Sequence, residues 1–434
     1  MDINYKRDSK MIAKKHWRFL LLAWLAMLAM GLLAMGGQNV ANGSTQHPNA
    51  HKVVSFISQL SSHPRLLPLD SFETNWTANA GTITYDTTKT FDGTRSVKVV
   101  TAGGNGQITI AKSGISLRNS SFSLWAYTDD YTSIDSISLF ASYTGDFSIY
   151  GKGRMVWGYS NMPTLNSRWF RLDLAYFDEV TTESDELNYL RIQVKARTGR
   201  EATIWLDDLR YAQRETGGIV TLSFDDNLNS ALTKAKPYMD KYGYKGVEGV
   251  ITSYPAAGLG LSVADLLLMQ STGWDISPHG NTHTYNLSTK AEIEAELLGA
   301  KSWMYENGFV KGARFYLLPG GVHNSTLVEV AQDYYTMVRG AGGSYEGEGS
   351  IATMKYPVQG SYTVVASTSL ATIQGILDRN AAKGIWTQLV FHNIVASGAT
   401  GAACNEATFK GIIDYIHTKG IKVATYSEIY DRLL

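Results

Sequence analysis

A change of rhythm near Gly217 limits the possible folds more than any other feature of the sequence. From about Pro64 to Arg214, apolar and polar residues alternate in short runs such as "SVKVV", "QITIA", "FSLWAY" and "YLRIQVKA", separated by Gly, Asp, Asn and Thr. Period-two alternation with turn residues at this spacing predicts an all-β sandwich over 64–214. From Gly217 onward, strand-like apolar runs alternate with helix-like stretches. The helix-like stretches end at Gly243, Gly273, Gly308, Gly384 and Gly420, where a left-handed C-cap is wanted. "TKAE" from Thr289 has a capping-box pattern and predicts a helix to about Asn307. Strand, helix, glycine and strand in repetition predict a parallel α/β sheet over 215–434, open or closed into a barrel.

Composition narrows the partners. The 39 Lys+Arg balance the 39 Asp+Glu across 434 residues, so no basic excess favours nucleic acid. At the N-terminus, Lys6, Arg7, Lys10, Lys14, Lys15 and Arg18 precede an uncharged apolar run from Phe19 to Met35. This pattern predicts an export signal over 1–36, either a cleaved signal peptide or a signal anchor, because the run is longer than a signal core of roughly 7–15 residues and near the lower limit of a membrane span. Everything after it is expected outside the cytoplasm, secreted or membrane-anchored, with membrane contact only through that segment if it is not cleaved. Residues 37–63, rich in Asn, Ser, Gly and Gln, read as a linker. Cys404 is the single cysteine, so packing rather than an intrachain disulfide holds the core.

The chemistry gathers where the apolar runs of the second half end. "GIVTLSF" runs into Asp225 and Asp226, "WDISP" into His279, "ARFYLL" into Pro319, Gly320 and Gly321, and "WTQLVF" into His392. In a parallel α/β fold the C-terminal strand ends share one face, so these distant residues are expected to converge. Two histidines and a carboxylate suffice as the protein ligands of a catalytic divalent metal, which makes a water acidic enough to attack a carbonyl. Taken singly, each element has a plainer explanation: a turn for Asp-Asp, a hydrogen-bonded core residue for His392. Their order and shared position favour metal-assisted hydrolysis.

"TLSFDD" (221–226), "SPHGNTH" (277–283), "LLPGG" (317–321) and "LVFHN" (389–393) resemble, in order and spacing, the motifs of polysaccharide deacetylases with the NodB homology fold, carbohydrate esterase family 4-like. The resemblance implies a distorted (β/α) barrel of NodB type that removes acetyl groups, N- or O-linked, from an acetylated polysaccharide. It implies Asp225 as catalytic base and Asp226, His279 and His283 as metal ligands. It also implies His392 as general acid and a divalent ion, zinc foremost, with cobalt or nickel as alternatives. The third motif departs from the usual Arg-x-Pro-aromatic-Gly: Leu317 stands for the arginine and Gly320 for the aromatic. Arg314 and Arg339 could each supply the guanidinium, and strand phase favours Arg339. No Asp-x-x-Asp-Trp lies between 322 and 388 to orient His392. Pro319, Gly320, Gly321 and Arg339 are therefore candidate substrate or oxyanion residues. His323 and Tyr285 lie beside the motifs, and His417 falls on an expected helix. A competing reading is a NodB-fold carbohydrate-binding protein impaired in catalysis. A glycosidase would need two carboxylates across the scissile bond and no histidine pair.

The β region resembles jelly-roll carbohydrate-binding modules in texture more than in motif. "LDSFE", "FDGTRSVKV" and "WLDDLRY" fit a loose pattern in which a structural Ca²⁺ joins the two ends, with Glu73, Asp92 and Asp208 as candidate ligands. Trp125, Trp157 and Trp169 could stack on sugar rings or pack inside; alternation favours burial for Trp125.

Overall fold

A computed structural model describes residues 67–112, 120–148, 150–156, 166–174, 179–180, 188–213, 217–340, 348–349 and 358–433. The expected export signal, the linker and Trp157 lie outside the described residues.

The β-rich region has two antiparallel sheets. One orders the strands Thr82–Asp86, Ser96–Val100, Thr203–Gln213, Ser120–Thr128 and Arg168–Leu174, with Leu67–Asp70 also paired to Thr203–Gln213. The other orders Glu179–Val180, Tyr150–Val156, Ile134–Ser142, Tyr189–Ala196, Asn105–Ala111 and Thr77–Ala80. Alternate residues of both, among them Leu124, Ala126, Ile204 and Leu206 from the first and Leu139, Ile192 and Val194 from the second, pack into one core. Each large side chain buried there contributes roughly 1.5–3 kcal/mol.

Trp125 breaks the expectation of burial. It lies between the core residues Leu124 and Ala126 and therefore points to the other face, half-buried. There Phe91 stacks on it at 4.0 Å, while Tyr127 meets Trp169 at 5.7 Å and Trp205 at 5.5 Å.

In the α/β region the strands Asp275–Pro278, Val247–Val250, Ile219–Phe224 and Trp386–Phe391 run parallel in that order, with Lys422–Val423 and Tyr362–Thr363 adding short parallel pairings. Glu348–Gly349 closes one edge antiparallel. A second sheet holds Phe315–Leu317, Met337–Arg339 and Val358–Gln359, all parallel. Ile219–Phe224 and Trp386–Phe391 are buried at every position, because both faces are covered. Leu222, Phe224, Leu389 and Phe391 pack towards helices carrying Leu266, Leu377 and Phe409. Ile219, Val247, Phe315, Leu317 and Met337 pack on the opposite side, against Tyr426.

Local signals explain the helix ends. The helix Lys290–Glu306 starts with a capping box between Thr289 and Glu292. Gly243, Gly273, Gly308, Gly384 and Gly420 all take positive φ, from 64° to 99°. Among the described residues no helix is long and apolar enough to cross a membrane.

Candidate metal centre

Asp225 and Asp226 follow the strand Ile219–Phe224 directly, and the chain turns sharply behind them. Asp226 and Asn227 take left-handed φ of 73° and 57°. Such conformations cost about 1–3 kcal/mol each in non-glycine residues and persist only where the surroundings enforce them. Asn227 supplies that enforcement: its N–H donates to the Gly249 carbonyl (3.2 Å), and its side-chain amide donates to the carbonyls of Leu259 (3.0 Å) and Leu261 (3.1 Å). A side chain at Gly260 would collide with the Asn227 carbonyl. Sequence reading missed Asn227; the polar run Asp-Asp-Asn before Gly258 and Gly260 was the available signal.

His279 ends the strand Asp275–Pro278 and is buried. Its N–H donates to the Val250 carbonyl (2.7 Å), and its ring Nδ1 lies 3.0 Å from the Leu317 carbonyl oxygen. With Nδ1 donating there, Nε2 is left as the free lone pair, the arrangement that prepares a histidine for a metal. His283 follows on a loop with φ 65°. The Nε2 atoms of His279 and His283 lie 3.4 and 3.3 Å from Asp226 Oδ1. That oxygen is buried without a hydrogen-bond partner among the described residues. Asp226, His279 and His283 offer ligand atoms all within 4.8 Å of one another. Two imidazoles and one carboxylate, whose Oδ1 lies unpartnered between them, fit a divalent ion of the zinc type.

Asp225 is buried against Arg339, whose Nη2 donates to Oδ1 at 2.8 Å and Oδ2 at 2.6 Å. Leu317 and Arg339 are direct register partners on parallel strands, so their side chains share a face. The guanidinium thus comes from one strand over, at the partner of the position where the sequence carries leucine. Arg314 points elsewhere, to Asp431 Oδ1 at 2.9 Å. Two contacts link the parallel sheets at this point: the His279–Leu317 hydrogen bond and the paired hydrogen bonds from Arg339 to Asp225.

The electrostatics follow from these contacts. Burial would raise the Asp225 carboxyl, but the Arg339 guanidinium, then His279 and His392, pull it below the usual value. Burial opposes and the two close histidines outweigh it at Asp226, which is held well below the carboxylate range. His283 is raised by its contact with Asp226 and by the neighbouring negative charges, against the opposing effect of burial.

His392 follows the strand Trp386–Phe391, with Nε2 3.9 Å from Asp226 Oδ2. Its Nδ1 is buried with no partner among the described residues. Pro319 is buried, and Gly320 and Gly321 take φ of 59° and 67°. The Gly321 amide donates to the Leu318 carbonyl (3.0 Å). Tyr285 stands exposed with its ring edge-on to His283, while His323 is exposed with Nδ1 3.1 Å from the Gly321 carbonyl. His417 lies exposed on the helix Glu406–Thr418.

Glu248 was not foreseen. The run "GVEGV" reads as apolar strand, yet the Glu248 carboxyl is fully buried and neither oxygen has a hydrogen-bond partner among the described residues. Burial, then the charges of Asp225 and Asp226, push it well above the ordinary value.

Among the described residues, Glu73, Asp92 and Asp208, the carboxylates expected to hold Ca²⁺ in the β region, are not brought together as a group of ligand atoms. Glu73 accepts the Thr94 N–H and hydroxyl and the Arg95 N–H, and Asp208 is paired with Arg210 Nε at 2.7 and 2.8 Å. The exposed Asp92 meets Asp207 instead, whose Oδ2 accepts the N–H groups of Phe91 (2.8 Å) and Asp92 (3.2 Å).

Residues 212–338 match the family described as polysaccharide deacetylase. No curated protein is similar to the chain. Similar solved structures include the Xyl-CE4 domain of a multidomain xylanase from the hindgut metagenome of Trinervitermes trinervoides, at 18% identity, covering 50% of this chain and 91% of that one, TM-score 0.36. A family 4 acetyl xylan esterase from Clostridium thermocellum in complex with a cobalt ion is 15% identical, with 49% and 90% covered and a TM-score of 0.36. A CE4 family pseudoenzyme from Bacillus anthracis is 14% identical, with 51% and 67% covered and a TM-score of 0.37.

Proposed function

We propose that this chain is a metal-dependent deacetylase that hydrolyses acetyl groups, N- or O-linked, on an extracellular or cell-wall polysaccharide. The observation that carries the reading is the pairing of two differently prepared aspartates: Asp226, with an orphaned oxygen between two histidine nitrogens, and Asp225, buried and held ionised by Arg339. When bound, a divalent ion at Asp226, His279 and His283 would polarise the acetyl carbonyl and acidify a water. Asp225 then accepts the water's proton, with Arg339 fixing its orientation and keeping it deprotonated beforehand. The Gly320 N–H, on a left-handed turn, is the backbone group that would face the developing oxyanion. His392 donates a proton to the departing amine or alcohol through Nε2.

Under this reading the two antiparallel sheets form a carbohydrate-binding β-sandwich, and the α/β region forms the distorted barrel of the NodB fold. The outward aromatic face at Trp125, Tyr127 and Trp169 is the sugar-facing surface that the sandwich offers. The basic and apolar N-terminal segment directs export. One observation favours the second reading, a NodB-fold binding protein impaired in catalysis: the general-acid candidate His392 has an unpartnered Nδ1.

Acetate release from acetylated chitooligosaccharides and acetylated xylan, with Zn²⁺ or Co²⁺ added, tests the proposal beside Asp225→Asn. The expected result is release that requires metal and falls about 10²–10⁴-fold in the variant. No release from any substrate by metal-loaded protein would favour the binding protein instead.

A further inference from the structure

Between the two ligand histidines the chain has to present Nε2 of His279 and of His283 to one point, and His283 does so in a left-handed conformation. The loop's own side chains give some support: Asn281 Oδ1 accepts the Thr252 hydroxyl (2.9 Å), and the Thr282 and Thr284 hydroxyls lie 2.8 Å apart. On one side the loop is clamped by the next segment: Thr252 N–H donates to the Gly280 carbonyl (3.1 Å) and Ser253 N–H to the Asn281 carbonyl (3.0 Å). On the other side stands Glu296, from the second turn of the helix Lys290–Glu306, 6% exposed. Its Oε1 accepts the N–H groups of Asn281 (2.8 Å) and Thr282 (2.7 Å), and its Oε2 accepts the Thr282 hydroxyl (2.9 Å). Gly280 makes room, since a Cβ there would sit 3.0 Å from Glu296 Oε1. Among the described residues no lysine, arginine or histidine forms an ion pair with Glu296.

A buried carboxylate without a cationic partner needs several donors to be tolerated. Here all three come from the two residues just before His283. We propose that Glu296 is a positioning residue that fixes the loop between His279 and His283 and so sets the separation of the two ligand nitrogens. The claim rests on the metal reading above for its consequence, and on the loop geometry alone for its mechanism. Partners lying behind metal ligands typically change affinity by about 10–100-fold when removed.

The full chain carrying Glu296→Ala, Glu296→Gln and Glu296→Asp tests this by two readouts. The first is exchange of the Asn281 and Thr282 amides in metal-free protein. The second is Co²⁺ affinity with the visible spectrum of the bound ion. Glu296→Ala should speed exchange at both amides while leaving Leu222 protected, and should weaken Co²⁺ about 10–100-fold with an altered spectrum. Glu296→Gln keeps reach and an acceptor oxygen, so it should stay within a few-fold of wild type. Glu296→Asp keeps the charge but withdraws the carboxylate by one methylene, and should resemble alanine. Rescue by aspartate but not by glutamine would overturn positioning in favour of charge. Unchanged exchange at Asn281 and Thr282 in both Glu296→Ala and Glu296→Asp would overturn it outright. A wild type that binds no Co²⁺ would sink the metal reading, and the exchange readout would still decide Glu296.

Discussion

In the β-rich region Asp70 is buried and fully served: the Phe72 N–H (2.7 Å), the Thr74 hydroxyl (3.1 Å), Trp76 Nε1 (3.1 Å) and Lys112 Nζ (2.8 Å) all reach it. In the α/β region Asp226 keeps one buried oxygen with no hydrogen-bond partner among the described residues, facing two histidine nitrogens. The contrast extends further. Asp207 accepts backbone amides and Glu73 accepts two amides and the Thr94 hydroxyl, whereas the two buried oxygens of Glu248 have no hydrogen-bond partner among the described residues. Satisfied carboxylates fasten loops to strands; unsatisfied ones, gathered at the ends of parallel strands, leave capacity for a ligand or a proton.

Arg339→Leu should break that contrast most severely. It leaves Asp225 buried without its partner, at a cost of about 3–5 kcal/mol in stability. It should also lower kcat/KM about 10²–10⁴-fold. Because Arg339 depresses the Asp225 carboxyl, its loss raises that carboxyl, and the acid limb of the pH–rate profile should move to higher pH. Leu317→Arg combined with Arg339→Leu returns a guanidinium to the same face and should recover part of both losses, as read by urea melts and acetate release.

Asp70→Ala should cost about 2–4 kcal/mol, since four donors lose one buried acceptor. Its Co²⁺ affinity should equal that of wild type. A coupled loss would mean that the two regions do not use their carboxylates independently.

Glu248→Gln should stabilise the protein by about 1–2 kcal/mol at neutral pH, because the amide is already neutral and folding no longer has to take up a proton there. The sign follows from linkage. The folded-state value lies well above 4.5, so the folded protein holds a proton that the unfolded chain releases once pH passes 4.5. The resulting stability is complete below that pH and is lost as pH rises towards the folded value. Denaturation midpoints of wild type should fall over that interval more steeply than those of the variant.

The smallest effect expected is that of Gly320→Ala. At φ 59° a Cβ meets only Val322 Cγ2 at 3.7 Å, so the cost is the left-handed conformation, roughly 1 kcal/mol. The backbone N–H survives, and activity should stay within a few-fold.

Much of this arrangement was legible from local chemistry. The five glycines that end helix-like stretches and the Thr289 capping box follow from backbone sterics and orphaned amides, which are local properties. Convergence of Asp225, Asp226, His279 and His392 followed from strand ends sharing a face, and strand phase favoured Arg339 over Arg314. What stayed hidden depends on long-range packing. Helix phase places Glu296 on a buried face but does not say which loop lies over it. Alternation tells which strand residues share a face but not which face is the core, so Trp125 was assigned inward. The Asp207–Asp208 pair conceals a break in strand register between Asp207 and Arg210, and it is Asp207 that reaches the Phe91 loop.

The count of metal ions per chain, measured by equilibrium dialysis of the full chain against Zn²⁺ with His283→Ala alongside, tests the central claim most directly. One ion per wild-type chain, lost or weakened at least a hundredfold in the variant, is the result expected from Asp226, His279 and His283 as its ligands. No bound ion, or one that binds the variant equally well, would contradict it.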